Sequence, residues 1–154
     1  MEIHFFKHAD DRHSIEVRGR QRGPDIRRPP RETGPTMPHD LVHAVVEQAL
    51  GLDRGFWAAV DRGATFEGFV PLEPGRHARS GLKELRRIGE AELAVEHMVS
   101  WARRVWSGQR SEGTGLGPAV LTAEQLRVTS AALDSAMERW RRVPPEGVLV
   151  WQWT

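Results

Sequence analysis

Residues 37–50 read MPHDLVHAVVEQAL, and four of their side chains are spaced for shared chemistry. His39, His43 and Glu47 recur every fourth residue, with Asp40 beside the first. On a helix each residue turns 100°, so this spacing draws a polar stripe along one side. Two imidazoles one turn apart can hold one cation, as in H-E-x-x-H zinc helices. His39 falls in the first helical turn, where the positive end of the dipole disfavours imidazolium. Neutral imidazole is the form that binds metal. Asp40 would then be a further ligand or the base for a metal-bound water. Glu47 closes the stripe as another candidate ligand, and the wheel places it furthest toward solvent. The chain has no cysteine, so His, Asp and Glu are the only strong ligands available, and zinc is the expected metal. The competing reading is a polar helix edge, with an acid favoured by the dipole and two surface histidines.

A second helix offers the missing carboxylate. Positions 85, 88, 92, 95, 99, 102 and 106 follow 3,4 spacing, and all are apolar except Glu92. A carboxylate in such a row must pair, bind a cation or take up a proton. Glu92 is therefore the fourth candidate ligand, with Glu96 one turn on and His97 beside that. Pairing with Arg86, Arg87 or Arg103 is the other outcome.

HDLVH, His39 to His43, resembles the H-D-x-x-H helix motif of the coenzyme Q biosynthesis protein 4 family. That family is helical, and its motif ends in a glutamate about twelve residues after the second histidine. Here that place falls near Gly55, and no acid occupies it. The resemblance covers these five residues and implies that His39, Asp40 and His43 hold a divalent cation. The segment from Pro38 to Phe66 is also similar to a bacterial protein family carrying a PHDLVH helix.

The elements that must position these groups follow from pattern and punctuation. Residues 2–7 and 14–18 are rich in β-branched and aromatic side chains and predict a hairpin. Residues 19–35, rich in Arg, Pro and Gly, predict a loop or arm. The first helix is expected to start at 36–38 with Thr36 as its cap, and to end at Gly51. RGFWAAVDRG predicts a short second helix closed by Gly63. Residues 80–107 predict a long helix that Gly89 kinks. Thr122 and Gln125 spell a capping box for the last helix, which Leu126, Leu133, Met137 and Trp140 line. VLVWQW alternates as a final strand that should pair with the hairpin. The expectation is an α+β fold in a single domain spanning 1–154. A small antiparallel sheet, the N-terminal hairpin plus the C-terminal strand, packs against three or four helices.

Composition bounds the function. A net charge of +1 over 154 residues argues against a nucleic-acid partner. No apolar run is long enough to span a membrane, and the first residues lack a signal-peptide pattern, so a cytoplasmic protein is expected. Residues 18–31 carry six arginines that could grip phosphate or an acidic partner. Trp151 and Trp153 alternate on one face of the last strand, and Trp101 lies off the apolar row of its helix. Two functions remain at this point. One is divalent-metal binding, with a small-molecule substrate and hydrolase or lyase-type chemistry. The other is a non-enzymatic module that meets a protein partner through the arginine arm and exposed tryptophans.

Overall fold

Alternation of Ile3 and Phe5 with Glu2, His4 and Phe6 gives the first strand one apolar face, and that face is fully buried. The computed structural model describes residues 1–34, 36–73, 79–80, 90–109 and 120–154, with side chains at 1–34, 36–73, 94–109 and 120–154. In it β1 (Glu2–Lys7) pairs with β2 (Arg12–Arg18), as the hairpin pattern predicts. The closing strand β7 (Val148–Gln152) lies antiparallel on the other side of β1.

The arm differs from its expectation. Residues Ile26–Glu32 form a strand, β3, on the free edge of β2. Proline cannot donate to a ladder, so Pro29 and Pro30 in the middle of a segment argue against a strand. The sheet absorbs them with a bulge: the register shifts between His13 and Ile15, opposite the two prolines. On its far side β3 pairs, among the described residues, through Ile26 and Arg27 with β5 (Val70–Pro71), a ladder that does not include its prolines. The result is a five-stranded antiparallel sheet in the order β5-β3-β2-β1-β7. Two short strands, β4 (Ala64–Thr65) and β6 (Arg79–Ser80), pair in parallel apart from it.

Four helices are present among the described residues. They are α1 (His39–Ala49), α2 (Phe56–Asp61), α3 (Glu90–Trp106) and α4 (Ala123–Arg142). The α+β architecture matches the expectation, with α4 closed at its start by the predicted Thr122–Gln125 box. The stretch 81–89, including the Gly89 kink, lies outside the described residues. Thr36 does not cap α1. Pro38 does, its carbonyl accepting from Leu41 and Val42 N–H at 3.0 and 3.1 Å, with no side-chain cap bond. No helix among the described residues is long and apolar enough to cross a membrane.

Ile3, Phe5, Ile15, Val17 and Ile26 from the sheet share one core with α1, α3 and α4. Helix α1 runs through it and is buried at every position from Leu41 to Glu47. It packs against α2, α3 and α4, so no broad face is left for water. An amphipathic wheel assumes one buried side. A central helix has several, which is why Glu47 is fully enclosed rather than the most solvent-facing group.

Candidate metal centre

The site begins with that enclosed carboxylate. A buried, ionised glutamate must be paired or hydrogen-bonded. Glu47 accepts the backbone N–H of Phe56 on Oε1 and that of Trp57 on Oε2, each at 3.1 Å. These are free amides of the first turn of α2, where a negative charge is favoured. Gly55 makes the approach possible. A Cβ there would lie 2.6 Å from Glu47 Oε2 and 2.9 Å from Val95 Cγ1, and the backbone at φ 125° suits glycine.

Glu47 Oε1 also lies 3.1 Å from Nδ1 of His43, one helical turn back. This contact fixes the ring and places the proton on Nδ1, so Nε2 looks away from Glu47. Nε2 meets Glu96 Oε2 of α3 at 3.3 Å. Burial disfavours the His43 imidazolium, but the bonds to Glu47 and Glu96 outweigh it and push its pKa up to about 9. The His39 ring stands edge-on to His43, with centroids 4.7 Å apart. His39 is shifted the other way. Loss of water around the ring and the positive charge of His43 lower its pKa, although part of the residue still reaches solvent.

His39, His43 and Glu96 thus converge. One ligand atom from each lies within 4.8 Å of the others, an arrangement that could hold a metal ion. Tetrahedral bonds of 2.0–2.1 Å space their donors about 3.3 Å apart, the separation His43 Nε2 and Glu96 Oε2 already have, so the adjustment falls on His39. His39 and Glu96 are exposed, whereas His43 is buried and held by Glu47.

The remaining candidates lie elsewhere. Asp40 faces the sheet, where Arg28 holds it with Nη1 at 2.8 Å and a still shorter contact from Nη2. His13 Nε2 stands 3.7 Å away. Burial raises the Asp40 pKa, but the bonds from His13 and Arg28 prevail and hold it well below the usual carboxylate range. A carboxylate so committed neither reaches into the His39–His43 seam nor accepts a proton readily, contrary to the ligand-or-base expectation. Glu47 sits behind His43 as its orienting partner and not among the three converging groups. The Glu92 side chain lies outside the described residues. Glu96, passed over in favour of Glu92, carries the second-helix carboxylate. Its signal was adjacency: it follows the buried Val95 and so stands at the rim of the apolar row, where a charge reaches both a seam and water.

The features behind an interaction module change as well. Two arm arginines are buried: Arg28 on Asp40, and Arg20 donating to the carbonyls of Pro24, Val60 and Ala64. Trp57, Trp140 and Trp153 are buried, and Trp101, Trp106 and Trp151 are partly buried in the core, so none of the tryptophans is exposed. No family model, curated protein or solved structure matches the chain, so the site stands on its own geometry.

Proposed function

We propose that this protein binds a divalent cation, zinc in the first instance, at the seam of α1 and α3. His39, His43 and Glu96 are the ligands, and Glu47 is the group that orients His43. One observation carries the reading: two imidazoles and a carboxylate from two helices converge, and the inner imidazole is backed by a buried carboxylate on its other nitrogen. That second contact is the usual companion of a metal-ligating histidine. Two nitrogens and one oxygen suit zinc, and three protein ligands leave a position open, as in catalytic zinc sites. An ion bound there would supply Lewis acidity and acidify a coordinated water, the chemistry of a hydrolase or lyase. In this reading Asp40 is a structural anchor, and the outer-helix ligand is Glu96.

The test is elemental analysis of protein purified without a histidine tag. Close to one zinc per chain is expected, lost in His43→Ala and in Glu96→Ala. Metal-free protein that fails to take up zinc, cobalt or manganese at micromolar concentration would refute the proposal.

A further inference from the structure

The seam that holds the three ligands continues past them, and its next polar side chain is a cation. Val95 and Glu47 both border Gly55, and Glu96 meets His43. Moving from Glu47 to His43 to His39 climbs toward the start of α1. The matching direction on α3 runs from Val95 and Glu96 toward its end, so the two helices are antiparallel along this seam. His39 lies about 6 Å beyond His43 along the helix, and Arg103 about 10 Å beyond Glu96, two turns on and therefore on the same side. Side chains on a helix lean toward its N-terminus, which carries a long arginine back toward Glu96. Arg103 is half-buried, and its guanidinium makes no ion pair with any carboxylate among the described residues. Its charge is felt at the His39 ring.

A half-buried arginine without a counter-ion beside a cation site calls for an anion. A divalent cation held by two neutral imidazoles and Glu96 retains one positive charge, which Glu47 behind His43 balances, so the charge of Arg103 is the one left without a partner. Building on the metal-binding reading above, we propose that the centre takes a small anionic ligand. Its carboxylate or phosphate oxygens occupy the cation's open position and the Arg103 guanidinium together. Guanidinium is shaped for this, because its fork of N–H donors matches the paired oxygens of both groups. The two groups are the same chemistry at different charge, and experiment tells them apart.

The experiment uses the full chain loaded with cobalt(II), whose visible absorption reports changes at the metal. Acetate and inorganic phosphate are titrated separately into the parent protein, Arg103→Gln and Arg103→Lys. At least one anion should alter the parent spectrum, with an affinity at least tenfold weaker in Arg103→Gln and partly regained in Arg103→Lys. Cobalt affinity itself should hold or rise in Arg103→Gln, since a like charge has been removed. Tighter acetate binding assigns a carboxylate ligand, and tighter phosphate binding a phosphorylated one. Equal anion affinity in the parent and Arg103→Gln, or no spectral response to either anion, overturns this inference and leaves the metal reading intact. Failure of the parent to bind cobalt overturns both.

Discussion

At the level of single residues, the decisive arrangement is a carboxylate locked behind an imidazole. Gly55 permits it, and a side chain there would collide with Glu47 and Val95 while adopting a backbone conformation that disfavours it. Gly55→Ala should therefore destabilise the protein by about 2 kcal/mol or more. It should also weaken metal binding, although the residue touches no ligand atom. Chemical denaturation and zinc titration measure the two effects separately. His43 gives a pH signature in metal-free protein. Its pKa stands at about 9 in the folded chain against an ordinary 6.5. A raised folded-state value means the unfolded chain releases this proton first as pH rises. The stabilisation is thus complete below about pH 6.5 and fades up to about pH 9. Melting temperatures between pH 6 and 9.5 should fall in the parent and fall much less in His43→Gln, whose side chain does not titrate. The histidine pair was legible from spacing alone, because i, i+4 geometry is local. The burial of Glu47 was not, because the backbone amides that satisfy it lie nine and ten residues away, placed by a turn that leaves no periodic trace.

Elements are joined here by charge as well as by apolar packing. Asp40 in the first turn of α1 is held by Arg28 of β3, with His13 of β2 beside them, beneath the helix. Both partners of the ion pair are largely withdrawn from water. Removing one leaves the other charged and uncompensated, so Asp40→Asn should cost about 3 kcal/mol in denaturant unfolding. Replacing both by apolar residues of similar volume, as in Arg28→Met with Asp40→Leu, should recover most of that loss. A catalytic Asp40 would show the opposite pattern, with stability kept and activity gone. The same contact shows why β3 hid in the sequence. Its strand character comes from pairing with β2 across a bulge and from burial of Arg28 on Asp40, neither of which a polar, proline-containing segment announces. The hairpin, the last strand and the capping box of α4 were readable because each is written in contiguous residues. A ladder partner chosen across a sheet edge is not.

For the molecule as a whole, the sheet is completed by its most distant segments. β1 stands between β2 and β7, and Trp153 N–H bonds to the Met1 carbonyl at 2.9 Å. Leu149 and Trp153 enter the core from that closing segment. Deleting residues 148–154 should therefore abolish cooperative folding, read as loss of the near-ultraviolet circular dichroism of the packed tryptophans. The α+β class followed from pattern, whereas the central place of α1 did not, because layering is a property of all the helices together. The same closure orders events on the ribosome. β1 leaves the exit tunnel far ahead of β7, the strand that covers its outer edge. At roughly 5–20 residues per second the wait is on the order of ten seconds. Throughout that interval Ile3 and Phe5 have a neighbour on one flank only, so the nascent chain holds β1 half-sheltered until β7 emerges.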